Sequence, residues 1–206
     1  MMQKRKPFRS VPYAAAAVLT AGFAFGTPAA HAASLKIDPE HSSVSFKVTH
    51  LMFMKVTGHF RQFEGSFDFD DETGSISNVA VTIQASSLDT NVEARDKDLR
   101  SKRFFNVDKY PTLTFTSTGT STFTGSKGQI KGVLSMHGVE KEVVLDTEFL
   151  GKGKDPWGNL KYGFQATTTI NRKDFGMAWN EVLEAGGVMV GDEVELILNV
   201  EAAPAT

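Results

Sequence analysis

Apolar residues recur at every second position along most of the chain after residue 33, with polar residues between them. This is the period of a β-strand that buries one face and exposes the other. Six segments keep one apolar phase: Val44 to Val48, Val79 to Ile83, Leu113 to Phe115, Val143 to Phe149, Tyr162 to Ile170 and Val194 to Val200. Turn signals such as Glu72-Thr73-Gly74 and His137-Gly138 separate them, and strands joined by short turns pair antiparallel. The chain is therefore predicted to be all-β.

The segment from Lys55 to Asp70 carries no turn signal and predicts one long strand. Its apolar phase changes once, near Arg61 and Gln62, so we expect a β-bulge there that bends the strand and keeps the same face inward. At about 3.3 Å per residue the strand would be roughly 50 Å long, far above the usual five or six residues. Such a strand favours a tall barrel.

One segment breaks the strand period and predicts a short helix over residues 91–101. Thr90 and Glu93 have the spacing of a capping box, and Asp96 and Arg100 have the i, i+4 spacing of an ion pair.

The apolar residues of this predicted helix, Val92 and Leu99, are expected to point inward. Two placements fit its periodicity equally well. The helix could close or rim one end of a barrel, or it could be a connector on the surface.

The first 32 residues have the organisation of a secretory signal peptide. Four basic residues precede an apolar run from Val11 to Phe25, which ends in Ala30-His31-Ala32. The run is too short for a stable membrane span, and the small residues favour cleavage before Ala33 over an uncleaved anchor. We expect residues 1–32 to be removed, residues 33–201 to form one periplasmic domain, and residues 202–206 to be a disordered tail.

Charge and cysteine content narrow the possible partners. The predicted signal peptide holds four of the 22 basic residues and none of the 24 acidic ones, so its removal leaves a net charge of −6. An acidic domain argues against nucleic acid and against electrostatic adhesion to anionic lipids. No second apolar run of membrane length follows, so no stable membrane insertion is expected. The chain has no cysteine, so its core must stabilise it without disulfides.

The histidines give no recognisable metal pattern. His41, His50 and His59 are spaced nine residues apart, which fits neither a helical nor a hairpin ligand set, so no metal site is expected. His50 continues the inward phase of Val48, and two interpretations stay open for it. It could contact a ligand in the barrel interior, or it could be a core histidine with a hydrogen-bond partner.

Catalytic signatures are missing as well. The acidic residues from Asp68 to Glu72 surround a turn, and the charged run from Arg95 to Ser101 is more typical of a solvated helix face than of an anion site. The sequence has no nucleophile elbow, phosphate-binding loop or dinucleotide fingerprint. We therefore expect a protein that is not an enzyme and needs no cofactor.

The inward apolar phase predicts a lined interior. The residues expected to line it are Val44, Phe46, Val48, His50, Phe60, Phe67, Phe69, Val81, Ile83, Phe115 and Phe164. The assignment rests on phase alone, and a register slip of one residue would reverse the face.

A set of motifs occurs in order along nearly the whole chain after the predicted cleavage site. Among them are Ile37-Asp38-Pro39-Glu40-His41, Gly58-His59-Phe60, Leu99-Arg100-Ser101, Lys109-Tyr110-Pro111, Asn171-Arg172 and Val190-Gly191-Asp192-Glu193-Val194. Together they resemble the YceI-like family of bacterial periplasmic polyisoprenoid-binding proteins.

The resemblance implies an extended, lipocalin-like antiparallel barrel of about eight strands with one short helix. Its interior would hold a long-chain isoprenoid, a quinone-type lipid or another amphiphile, and the protein would often be a homodimer. The alternative is a periplasmic stress-related interaction module whose interior is only a packed core.

Possible head-group contacts at the barrel mouth are Arg95, Arg100 and Trp179. Asp98 stands where the family commonly has histidine, and an aspartate there would repel a phosphate. The segment from Phe175 to Gly187 is predicted either to form a flap across the mouth or to pack Trp179 into the core.

Overall fold

The computed structural model describes residues 32–205. The predicted signal peptide therefore lies outside the described residues except for Ala32. Twelve strands and one helix follow in the order β1 (Ala33–Ile37), β2 (Ser43–His50), β3 (Met54–Phe60), β4 (Phe63–Asp70), β5 (Ser75–Gln84), β6 (Leu88–Asp89), α1 (Glu93–Arg100), β7 (Thr112–Ser117), β8 (Ser121–Thr122), β9 (Lys127–Met136), β10 (Val139–Lys154), β11 (Leu160–Asn171) and β12 (Val190–Pro204). Short 3₁₀ turns occupy Ala85–Ser87 and Arg172–Phe175.

The strands form a closed antiparallel barrel with eight strand positions, as predicted. Four positions are filled by β9, β10, β11 and β12, and the other four by successive pairs of shorter strands. β12 closes the barrel because one edge pairs with β11 while the other pairs first with β2 and then with β1. Every pairing between strands is antiparallel, which agrees with the short turns in the sequence.

The predicted long strand is divided into β3 and β4 by Arg61 and Gln62. The prediction of a single bulged strand was wrong. The break is larger than a bulge, because the two halves pair with different strands. β3 pairs with β2 and β6, whereas β4 pairs with β1 and β5. At the break the Arg61 amide donates to the carbonyl oxygen of Ser87, at a distance of 3.1 Å.

The prediction of a disordered tail was also wrong, because β12 continues to Pro204. Ala202 is completely buried and pairs with Ile37 of β1 on one side and Tyr162 of β11 on the other. The small residues suggested disorder, but ladders on both edges hold them in place.

The predicted helix forms over Glu93–Arg100, but the predicted cap and ion pair are absent from it. Val92 is the N-cap, and no side chain caps the helix. Asp96 is buried instead and accepts two hydrogen bonds from Thr90, one from the amide at 2.9 Å and one from the hydroxyl at 2.5 Å. The helix is therefore tied to the chain before it by a side chain from its own first turn.

The inner face of the barrel carries aliphatic and aromatic residues, which form the core. Phe69 lies at the centre of one end of this core, with its ring 5.0 to 6.2 Å from the rings of Phe123, Phe149, Tyr162 and Phe164. Among residues 32–205, no helix has the length and apolar character needed to cross a membrane.

Candidate functional site

An internal cavity of about 180 Å³ lies along the barrel axis. Nine of the residues predicted to line it do so: Val44, Phe46, Val48, Phe60, Phe67, Val81, Ile83, Phe115 and Phe164. They come from β2, β3, β4, β5, β7 and β11, so the alternation of apolar residues assigned the inward face of each of these strands correctly.

Two predicted lining residues lie elsewhere. Phe69 points inward, as its phase requires, but it belongs to the aromatic cluster beyond the end of the cavity. His50 is half-buried at the last position of β2, where its Nδ1 atom donates to the Met189 carbonyl oxygen at 3.2 Å. The interpretation of His50 as a residue with a protein partner fits this geometry, and the prediction of a cavity contact was wrong.

Further lining residues extend the same two-residue period along strands that the sequence assigned less completely. They include Leu134 and Met136 of β9, Leu145 of β10, Ala166 and Ile170 of β11, and Leu196 and Leu198 of β12. The same alternation of apolar and polar residues in the sequence indicates that these residues face inward.

Helix α1 and the residues after it cover one end of the cavity. Leu99, Phe104 and Phe105 reach the lining, so the helix rims the barrel and is not a free surface connector. Leu99 points inward as predicted, but Val92 is 45% exposed and was assigned wrongly. The opposite end is closed by the aromatic cluster around Phe69, which leaves the α1 end as the natural side of access.

The lining offers hydrogen-bonding groups that already have protein partners. The Ser45 hydroxyl donates to the Ile197 carbonyl oxygen at 3.0 Å, and the Thr147 hydroxyl donates to the Leu145 carbonyl oxygen at 3.2 Å. Because these hydroxyls already bond backbone carbonyl oxygens, the cavity wall presents mainly hydrocarbon to its contents.

Arg172 is the charged residue of the lining, and it was not among the predicted site residues. Its side chain is only 4% exposed. Nε donates to the Gly191 carbonyl oxygen at 2.9 Å, one terminal nitrogen donates to the carbonyl oxygens of Met177 and Trp179, and the other donates to Asp192 at 3.1 Å. Burial lowers the pKa of Arg172, while the Asp192 carboxylate acts in the opposite direction.

These bonds fasten the segment between the 3₁₀ turn and β12, residues 177–189, which we call the end segment. It is a small hairpin in which Val182 pairs with Val188. The Asn180 side chain accepts from the Val190 amide at 3.0 Å and donates to the Val190 carbonyl oxygen at 2.6 Å. The end segment therefore lies beside the cavity and is held there by Arg172 and Asn180.

The three residues predicted to contact a head group bond or pack against other parts of the protein and do not line the cavity. Arg95 donates to the Thr90 hydroxyl at 2.8 Å and to the Thr90 carbonyl oxygen at 2.9 Å. Arg100 donates to the Ser86 carbonyl oxygen at 2.9 Å and also to that of Leu88. None of these side chains belongs to the cavity lining, and their role as head-group contacts at the mouth stays a prediction.

Trp179 packs its ring edge-on against Phe104, with 5.2 Å between centroids. Arg103 lies 4.4 Å above the same ring, in a cation–π arrangement. The interpretation of Trp179 as a packing residue fits these contacts.

Two glycines on the wall let phenyl rings lie flat against it. Gly58 of β3 pairs with Phe46 of β2, and a Cβ atom at Gly58 would come within 2.6 Å of the Phe46 ring. A Cβ atom at Gly132 of β9 would likewise come within 2.6 Å of the Phe115 ring. The missing side chains leave room for the rings at the wall, which keeps those rings out of the middle of the cavity.

Asp38, His41 and Glu201 form the group in residues 32–205 whose oxygen and nitrogen atoms converge closely enough to suggest a metal. The Lys161 ammonium lies within this group, 2.7 Å from Asp38 and 3.0 Å from Glu201. These two hydrogen bonds raise the pKa of Lys161 to about 12, and the Lys161 bond lowers the pKa of Asp38. The group is an ion-pair network on the outer surface.

Comparison with known proteins gives one consistent family. A family model described as the YceI-like domain matches residues 35–202. The protein YceI of Salmonella newport (strain SL254) is 43% identical over 183 residues, which cover 88% of this chain and 92% of that protein.

Solved structures with the same fold include BcnA of Burkholderia cenocepacia, with a TM-score of 0.70, 23% identity, and coverage of 82% of this chain and 99% of that one. A polyisoprenoid binding domain from Saccharophagus degradans, implicated in plant cell wall breakdown, has a TM-score of 0.57 and 14% identity. That match covers 84% of this chain and 99% of the domain. At these identities the two structures show only that the fold is shared.

Proposed function

Because the chain belongs to the YceI-like domain family, we propose that its barrel binds and carries one isoprenoid-like lipid, of the polyprenyl or quinone type, and catalyses no reaction. The observation that carries the proposal is the apolar cavity of about 180 Å³ along the barrel axis. The Saccharophagus degradans domain, which shares the fold, is described as binding polyisoprenoid.

The shape of the cavity suits a single extended chain. Val190 and Val200 both line it and lie ten residues apart on β12. Ten residues at 3.3 Å, tilted by about 40° to the axis, span roughly 25 Å along the barrel. A cavity of this volume drawn out over that length is a narrow tube, which suits one extended chain better than a compact ligand.

The lining also indicates which part of the lipid enters. The hydroxyls of Ser45 and Thr147 and the donors of Arg172 are already bonded to protein carbonyl oxygens or to Asp192. A polar head group inside would leave its own oxygens unpaired, at a cost of about 1–3 kcal/mol for each group. We therefore place the tail in the cavity and the head group at the α1 end.

The main alternative is that the barrel interior is only a core and that function lies in a surface partner. Packed cores contain few voids larger than a water molecule. An axial cavity of about 180 Å³ that stays open beside two ring-supporting glycines favours ligand binding over this alternative.

Charged substitutions on the two faces of one wall test the proposal. Phe46→Asp and Phe67→Asp place a carboxylate on the cavity side, while Lys47→Asp places one on the outer side of β2. Circular dichroism selects variants that stay folded, and mass spectrometry of organic extracts then measures the lipid that copurifies. We expect loss of lipid from the inward variants and retention by the outward control.

Equal amounts of lipid in the folded inward variants and in Lys47→Asp would refute the cavity proposal. It would favour the surface-interaction module instead.

We also propose that the protein acts in the periplasm after cleavage before Ala33. Support comes from the basic residues, apolar run and small residues of the first 32 positions. N-terminal sequencing of protein from the periplasmic fraction should begin near Ala33, and an intact Met1 on membrane-bound protein would contradict this. The homodimer implied by the family resemblance stays a prediction, which sedimentation equilibrium would test.

A further inference from the structure

The end of the barrel that carries α1 also carries a patch of exposed apolar side chains. Met52, Phe53 and Met54 at the β2–β3 turn are 59%, 75% and 55% exposed, and Val182 of the end segment is 79% exposed. The Val188 amide lies 3.5 Å from the Met52 sulfur, so the turn and the end segment meet. We call residues 51–54 together with Val182 the apolar tip.

The backbone of the turn is strained in order to present these residues. Leu51 and Met52 both have positive φ, at 49° and 70°, and the Phe53 amide donates to the His50 carbonyl oxygen at 3.3 Å. A β-turn whose two central residues both have positive φ is normally made from asparagine and glycine. Large apolar residues in these positions are costly, and such cost is typical of functional sites.

The apolar tip adjoins the cavity wall. The Leu51 amide donates to the Met189 carbonyl oxygen at 2.9 Å, and the next residue, Val190, lines the cavity. The other end of the barrel is closed by the aromatic cluster. A lipid that enters or leaves the cavity at the α1 end therefore passes beside the apolar tip.

The charges around the tip select the partner. Residues 48–54 hold no acidic or lysine side chain, Lys55 follows them, and Glu181 and Glu184 flank Val182. Arg103, which lies over the Trp179 ring of the end segment, is paired with Asp98 and adds no net charge. Two carboxylates against one ammonium disfavour an anionic membrane and match a zwitterionic one. On a bilayer, these carboxylates would keep the end segment in the head-group layer, so that only the β2–β3 turn would reach the acyl chains.

We propose that the apolar tip docks on a zwitterionic lipid bilayer, with Phe53 and the methionines inserted among the acyl chains. Docking would present the α1 end of the cavity to the membrane, so a lipid tail could pass between them without crossing open water. The inference rests on the proposed lipid-carrier function and goes beyond it, because a carrier could also receive its lipid from another protein.

The test is cosedimentation of the purified full chain with phosphatidylcholine vesicles, with and without added phosphatidylglycerol. The variant combines Met52→Gly with Phe53→Ser, and the glycine suits the positive φ of position 52, so folding is not threatened. The control is Trp157→Ser, which removes a side chain that is 84% exposed in the β10–β11 turn at the opposite end.

We expect the wild type and Trp157→Ser to bind phosphatidylcholine vesicles equally, and the double variant to bind on the order of tenfold or more weakly, since a buried phenyl group contributes at least that factor. Added phosphatidylglycerol should not strengthen binding. Failure of the wild type to sediment, equal binding by the double variant, or equal loss in Trp157→Ser would overturn the proposal.

A second outcome against it would be self-association through the same patch. A dimer in sedimentation equilibrium that the double variant dissociates, without vesicle binding by the wild type, would identify a second copy as the occupant. Lipid recovered by organic extraction separates the two proposals. A double variant that keeps its lipid but ignores vesicles has lost docking and not carriage, whereas a wild type without lipid counts against the carrier function itself.

Discussion

Replacement of Gly58 by alanine should narrow the cavity from its wall. The new Cβ atom would lie 2.6 Å from Cε1 of Phe46 and 2.9 Å from Cγ2 of Thr90. Thr90 cannot retreat easily, because its amide and its hydroxyl are both bonded to the buried Asp96. The Phe46 ring must therefore turn inward, and the space available to it is the cavity.

Two opposing terms set the size of the effect on stability. A glycine-to-alanine change gains about 0.4–1 kcal/mol by restricting the unfolded chain. Overpacking of a tight wall typically costs about 1–3 kcal/mol, and the adjacent cavity places this site at the lower part of that range. We expect a net loss of about 1 kcal/mol in the free energy of unfolding without lipid.

Lipid should enlarge the difference, because the displaced ring and the tail compete for one space. At a free lipid concentration of 100 times Kd, binding stabilises the wild type by about 2.7 kcal/mol. A tenfold weaker affinity in Gly58→Ala would reduce that gain to about 1.4 kcal/mol. The variant should therefore fall further behind the wild type when lipid is present.

Urea unfolding with and without a polyprenyl alcohol measures both quantities. Gly163→Ala is the matched control, since its Cβ atom would meet its nearest neighbour at 3.6 Å, an ordinary contact distance, and alanine there should stabilise the protein. If Gly58→Ala were as stable as Gly163→Ala and gained as much from lipid, the ring would not be held at the wall by the missing side chain.

Three further substitutions probe other parts of the barrel. Arg172→Lys should lower the free energy of unfolding by about 2–4 kcal/mol, because one ammonium cannot satisfy the several oxygens that the guanidinium holds. It should also speed proteolysis between residues 177 and 189, and an unchanged rate of digestion would contradict the view that Arg172 holds the end segment in place. Asp96→Ala should lower the free energy of unfolding by about 1–3 kcal/mol, because Thr90 loses its hydrogen-bond acceptor. Thermal unfolding measures this loss, and a value below about 0.5 kcal/mol, which is usual for a surface site without partners, would contradict the role of Asp96. The hydrogen bond to Asp38 raises the pKa of His41, so its stabilisation is complete below pH 6.5 and is lost as the pH rises through the folded pKa. The stability difference between wild type and His41→Gln should therefore shrink from about pH 5 to about pH 8, and a difference that grows would refute the assignment.

The inward face could be predicted because a barrel strand has one simple rule. Residues two apart share a face, so Phe46, Phe67 and Phe115 were placed from their phase alone. Phase gives no position along the barrel axis. Phe69 obeys the same rule as Phe67 but lies past the end of the cavity, and His50 lies at a strand end where the neighbouring chain provides a partner.

The roles of residues whose partners lie elsewhere in the fold could not be predicted from local sequence patterns. Thr90 and Glu93 had capping spacing, but Asp96 bonds Thr90 and the helix begins without a side-chain cap. Arg172 occurred in a recognised motif without any sign that it would be buried. Its partners at Met177, Trp179 and Gly191 come together only when the end segment folds back.

The position of β12 has a consequence for the order of folding. Its 15 residues form the edge partners of β1, β2 and β11, and Leu35 near the start of the described chain pairs with Pro204 near its end. Contacts between residues so far apart in the sequence form slowly. Here they cannot form until β12 has been synthesised and is free to pair. Before that moment β2 and β11 carry open edges, which readily pair with other chains. A product shortened before Val190 should therefore aggregate instead of forming a smaller barrel.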